Sequence, residues 1–235
     1  VTGKSLVFLC CAIAHTQPLV NSLVVRSVTV TPTEISADLL NTSGLSITAG
    51  SIQLTTTTET QQPTVQKLSF ELIWSTNLDD LRAPYAAKYP ASMQFGPILP
   101  NAVYHWRHPN TNPPAKTADV KVTAVIFLGG KEEGDPLRTI PLFVARAQMT
   151  GELTYWAKAI DSVHTLAQLE TLLSHPRTPA DATTAAVILS TLRSVPASVS
   201  AGVMTEGAGL NYVQVYLKRM LSTLEVESVR KGGQQ

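Results

Sequence analysis

With 235 residues, 44% of them hydrophobic, the chain is long enough for one large domain or two small ones around a sizeable core. Charged residues make up 15% and the net charge is +1. That argues against a broad basic face for nucleic acid and against a disordered acidic tail, and leaves much neutral surface suited to close association.

The N-terminal stretch Ser5 to Ala14 is a ten-residue apolar run behind Lys4. It has the form of a signal-peptide core, but it is shorter than the roughly 20 residues a bilayer span needs, and a buried strand or short core helix is the expectation. The two cysteines, Cys10 and Cys11, lie inside it. Neighbours in sequence reach disulfide geometry poorly, so buried, reduced thiols are expected, in keeping with a reducing compartment. Gly3-Lys4-Ser5 resembles the tail of a phosphate-binding loop, but the first glycine of such a loop would fall before residue 1, and a working loop is not the expectation.

Leu19 to Val30 alternates as a strand, with Leu23, Val25, Ser27 and Thr29 on one face. Thr31-Pro32-Thr33-Glu34 breaks it and could cap a short helix over Ala37 to Leu40. Asn41 to Gly44 has turn chemistry, and two strands follow, Leu45 to Thr48 and Ser51 to Thr58, separated by Ala49-Gly50. Val65 to Thr76 is the clearest strand of this half. Leu68, Phe70, Leu72 and Trp74 lie on its apolar face, and Lys67, Ser69 and Glu71 on the other.

From Leu78 the chain changes character. Pro84, Pro90, Pro97 and Pro100 alternate with Tyr85, Tyr89, Met93 and Phe95, which argues for a long ordered loop or arm rather than a sheet interior. The arm is expected to run through residues 78–118. It holds the densest aromatic and basic group of the chain, Tyr104, His105, Trp106, Arg107 and His108. Asp119 to Leu128 and Leu137 to Arg146 then read as the two strands of a hairpin with a Gly-rich, charged loop. The far end of the first strand should be buried on both faces.

Helices follow. Gly151 to His175 has helical spacing and ends at Pro176, and Thr178-Pro179 starts a second helix whose apolar stripe is Ala185 to Leu192, with Pro196 beyond its end. Ser198 to Gly209 reads as a small-residue loop, and Leu210 to Val229 as a last amphipathic helix. Strands followed by helices make the α+β pattern. The expectation is an N-terminal β-rich sandwich or jelly-roll-like part over residues 1–149, then a C-terminal helical region over residues 150–235.

No common catalytic signature is present. His105 and His108 would share a helix face, but the prolines around them argue against helix and no third metal ligand is near. Glu132, Glu133 and Asp135 read as a solvated turn rather than a calcium loop, and Asp79-Asp80 as capping residues. Ser162 and His164 are two apart on a helix and cannot face each other. No catalytic, cofactor or metal residue is therefore assigned. Trp, Tyr and Arg concentrate at protein interfaces, so the candidate interface residues are Tyr85, Tyr89, Phe95, Tyr104, His105, Trp106, Arg107 and His108. On this reading Trp106→Ala weakens assembly more than it unfolds the monomer.

In texture the β half resembles an RNA-virus structural protein of the coat, outer-shell or matrix-like kind. The resemblance rests on the Thr-rich strand Thr55 to Thr58, the Thr111-Asn-Pro-Pro114 loop, sparse charge and the proline-broken arm. It implies a non-enzymatic subunit that self-assembles, with itself or other structural subunits as partner, in the cytoplasm or in a virion. The basic genome-packaging arm of many coat proteins is missing here, which suits a shell or surface role better than genome contact. Two alternatives stand beside it. One is a monomeric β-rich binding module, adhesin-like or peptide-binding. The other is an enzyme of unrecognised type that brings His105 or His108 together with Asp79 or Glu133.

Overall fold

The computed structural model describes residues 19–59, 62–73, 96–111, 113–174 and 182–229, with 182–187 described by backbone alone. The N-terminal run with Cys10 and Cys11, Trp74, Asp79-Asp80, the arm residues Tyr85, Tyr89 and Phe95, and Thr178-Pro179 lie outside them.

Among the described residues seven strands precede four helices, so the protein is α+β with the β part first. The strands are β1 (Leu23–Val30), β2 (Glu34–Asn41), β3 (Ile47–Thr57), β4 (Thr64–Glu71), β5 (Val103–Pro109), β6 (Thr117–Phe127) and β7 (Glu132–Gly134). They form two antiparallel sheets, ordered β1-β2-β5 and β4-β3-β6-β7. The inner faces share one apolar core: Leu23, Ile35, Leu39 and Trp106 from the first sheet meet Ile52, Leu54, Phe70, Val120 and Val122 from the second. β1 lies against β6 on one side of this sandwich. On the other side the rings of Phe70 (β4) and Tyr104 (β5) touch, with centroids 5.2 Å apart.

The strand expectations need several corrections. Residues 37–40 are not helical; they belong to β2, where Ile35, Ala37 and Leu39 alternate into the core. The two strands proposed around Ala49-Gly50 are one continuous β3. Gly50 is required there by packing, since a Cβ would lie 2.5 Å from Cζ of Phe70. The face of β1 switches part-way. A bulge between Val25 and Ser27 shifts the register, so Val28 and Val30, rather than Ser27 and Thr29, pack toward the core beyond it. Val103–Pro109 is a regular strand rather than part of an irregular arm, paired along its length with β2.

The helices are α1 (Pro136–Ile160), α2 (Leu166–Ser174), α3 (Ala182–Ser200) and α4 (Glu206–Glu227). Leu137 to Arg146 is thus the first part of a 25-residue helix, not the second strand of a hairpin. The hairpin partner of β6 is the short β7. Asp135 starts the helix as N-cap, its carboxylate accepting from the N–H of Leu137 at 2.9 Å, and Pro136 occupies the first turn, where its missing N–H costs nothing. Pro141 lies inside α1, and Pro196 lies inside α3 rather than beyond its end. The single helix expected over 151–175 breaks at Asp161 into α1 and α2, and the loop expected over 198–209 shrinks to Ala201–Thr205. The domain boundary drawn at 149 falls in the middle of α1.

As expected, β6 becomes buried on both faces at its far end: Val122 to Phe127 are all buried. Helix α1 supplies the second cover, where Leu142 and Phe143 pack on Ala49 and Ile126. Further along, Met149, Leu153, Trp156 and Ile160 of α1 join Ile188, Leu192, Val213, Leu217 and Met220 in a helical core that also takes in Ile73, just past β4.

One buried cation ties the two halves together. Arg146 of α1 is fully buried. Its Nε and Nη2 donate to the two carboxylate oxygens of Glu71 on β4 at 2.9 and 3.0 Å. Nη2 also donates to Thr48 Oγ1 at 2.9 Å, and Nη1 to the carbonyl of Glu227 at 3.2 Å. Thr48 is the extra residue of a bulge in β3, and its hydroxyl donates onward to the carbonyl of Ile126. The Glu227 carboxylate accepts from the N–H of Gly129 at 2.6 Å. Every guanidinium nitrogen donates at least one hydrogen bond and two carboxylates lie beside it, the arrangement in which a buried charge is tolerated.

Candidate functional site

The two sheets differ in what covers them. The four-stranded sheet has helix α1 on its outer side, whereas among the described residues no element covers the outward face of the three-stranded sheet. The cross-strand register makes this outer face a set of rows. Val24, Leu40 and Val103 form an apolar row, and Val24 is 40% exposed. Ser27, Asp38 and His105 form the next row, and Thr29, Ser36 and Arg107 the one after.

The middle row is hydrogen-bonded across all three strands. Ser27 Oγ donates to Asp38 Oδ2 at 2.9 Å, and His105 Nδ1 lies 2.6 Å from Asp38 Oδ1. His105, then Ser27, hold the Asp38 carboxyl below its ordinary value, with a small opposing effect of burial. Arg107 reaches diagonally to Glu34 at 3.9 Å. Acids therefore sit on β2 and bases on edge strand β5, all on one exposed face.

β5 explains how the Tyr104–His108 group works. The pleat sends alternate side chains to opposite sides. His105 and Arg107 join the outer face. Tyr104, Trp106 and His108 turn inward, where the Trp106 and His108 rings stack with centroids 5.8 Å apart and planes 5° from parallel. Trp106 is 5% exposed and is a core side chain in this fold. Burial pushes the Tyr104 phenol above its ordinary value. Of the eight interface candidates, then, His105 and Arg107 are presented outward, Tyr104, Trp106 and His108 support the sheet from within, and Tyr85, Tyr89 and Phe95 lie outside the described residues. Ser27 and Asp38 were missed by the sequence reading. The sequence expectation has Asp38 in a short helix and Ser27 on the same face as Leu23 and Val25, and only the β1-β2-β5 pairing brings them to His105.

A small cleft of about 180 Å³ opens between the sheets beside the end of β5, lined by Thr56, Thr58, Thr64, Gln66 and His108 among others. It is smaller than the ~300–1,000 Å³ of an ordinary small-molecule site. His105 and His108 point to opposite sides of β5, and Glu133 bonds to the Asn21 N–H and Ser22 hydroxyl rather than to either. Among the described residues, no helix is long and apolar enough to cross a membrane. No family model, curated protein or solved structure matches the chain.

Proposed function

We propose that this protein is a non-enzymatic structural subunit. It assembles with copies of itself or with other subunits into a larger particle, such as a virion shell or surface layer, after synthesis in the cytoplasm. The observation that carries this reading is the outer face of the three-stranded sheet, which no element covers among the described residues. An apolar row of Val24, Leu40 and Val103 beside a row of paired acid and base is the composition of a docking surface. The apolar row supplies area, and the charges set orientation and discriminate against wrong partners. With acids on β2 and bases on β5, a second copy turned about a twofold axis meets opposite charge with opposite charge.

Light scattering across a concentration series, with negative-stain images of the heaviest fraction, tests the proposal. Defined oligomers or particles are expected from the wild-type chain, and Arg107→Glu should shift them toward monomer. A wild-type chain that stays monomeric at the highest concentration overturns it. The cleft beside β5 favours a second reading, a β-rich binding module, in which a single partner side chain enters between the sheets.

A further inference from the structure

Helix α1 is apolar on two sides. One side packs on the sheet and the helical core through Leu142, Phe143, Met149, Leu153 and Trp156. On the other, Leu137, Ile140 and Val144 recur at i, i+3 and i+7 and are 74%, 41% and 51% exposed. The exposed positions that extend this face, Pro141, Ala147, Gln148 and Gly151, carry no charge. A solvent-facing helix side is ordinarily polar, and a neutral apolar stripe of this length marks a surface that something covers.

The described part of the chain begins close to the start of this helix. The described chain starts at Leu19 and is pinned at once to β7, directly before α1. The Asn21 N–H donates to Glu133 Oε1 at 2.7 Å, and the Ser22 hydroxyl donates to Glu133 Oε2. Val20 lies so close to Gly134 that a Cβ there would be 2.6 Å from Val20 Cγ2. Glu133 is only four residues from Leu137. Just upstream of this anchor, behind His15-Thr16-Gln17-Pro18, comes the uncharged run Ser5 to Ala14.

We infer that the Ser5–Ala14 segment of the same chain docks along the exposed Leu137–Ile140–Val144 stripe of α1. Two lengths agree with this. Four linking residues reach up to about 13 Å from the anchor at ~3.3 Å each. The stripe from Leu137 to Val144 is about 10 Å long at 1.5 Å rise per residue, shorter than ten residues in any regular conformation. Both surfaces are neutral and apolar, so neither leaves a charge to be desolvated when they meet.

Cys10 and Cys11, the two cysteines of the chain, report on the segment directly. Ile140→Cys, Val144→Cys and, as a remote control, Ser222→Cys place a third thiol at exposed or partly exposed helix positions. The full-length variants are treated at high dilution with a short bismaleimide, and the linked peptides are mapped by mass. Links within one chain from Cys10 or Cys11 to position 140 or 144, about tenfold above those to 222, are the expected result, and the native thiols should react with maleimide about tenfold more slowly than in urea. Val144→Asp, a surface change that leaves the core intact, should restore fast labelling. Equal linking at all three positions overturns the inference. So do links formed only between chains, which would assign the stripe to a second copy. Labelling that ignores Val144→Asp but slows on addition of phosphatidylcholine vesicles also overturns it, since the run would then belong to a lipid surface.

Discussion

Arg146 shows how much one side chain can hold. Its guanidinium joins β4 through Glu71, the β3 bulge through Thr48 and the end of α4 through Glu227. Removing one partner of a buried ion pair strands the other charge, so Arg146→Ala should lower unfolding stability by about 3–5 kcal/mol in denaturant titrations. Trp106 carries a revised expectation. Buried between the sheets and stacked on His108, it should act through the fold, so Trp106→Ala is expected to cost about 3–5 kcal/mol of stability as a core truncation. A variant that melts like the wild type but fails to assemble would return Trp106 to the surface role. Asp38 makes a prediction in pH. Its folded-state pKa lies below the unfolded one, so its contribution is present above the unfolded value and is lost as pH falls through the lower, folded value. Wild-type and Asp38→Asn melting temperatures should therefore differ at neutral pH and converge as pH drops through the carboxylate range.

Among the elements, β3 and α1 are the most informative. β3 is central in its sheet, and Gly50 lets the Phe70 ring lie across it. Gly50→Ala forces the ring to move and should destabilise by about 1–3 kcal/mol, measured by thermal or chemical melting. Leu137 to Arg146 of α1 reads as a strand in sequence because it has no single apolar stripe. Leu137, Ile140, Pro141, Leu142, Phe143 and Val144 put apolar groups on both sides of the helix, so helical periodicity disappears and the β-branched and aromatic residues suggest a strand. The Asp135-Pro136 start was the signal that could have corrected it. β5 is hidden in the sequence for a related reason. Prolines on both sides made it resemble a loop, although Tyr104, Trp106 and His108 alternate with His105 and Arg107 as a strand with one buried face requires.

For the whole molecule, assembly through an electrostatic and apolar face has a salt signature. If the outer sheet face is the contact, His105→Ala combined with Arg107→Glu should weaken association and reduce its dependence on ionic strength, read by sedimentation or light scattering at two salt concentrations. The monomer's melting temperature should fall only by what the His105–Asp38 and Arg107–Glu34 pairs contribute, at most slightly more than in Asp38→Asn, because both side chains are largely exposed. Composition and period already determined the class, with period-2 strands leading and 3.6-period helices following, because local alternation reflects which face each element buries. The double burial of β6 was legible too, since its far end has no polar face to turn to water. Tertiary structure decided the rest. Whether Leu137 to Arg146 is strand or helix depends on what lies on each side of it. The Arg146 cluster joins residues 48, 71, 146 and 227, and the Ser27–Asp38–His105 row exists only through strand pairing between distant segments. Such contacts leave no local pattern, because the chemistry lies in the juxtaposition and not in any one stretch of the chain.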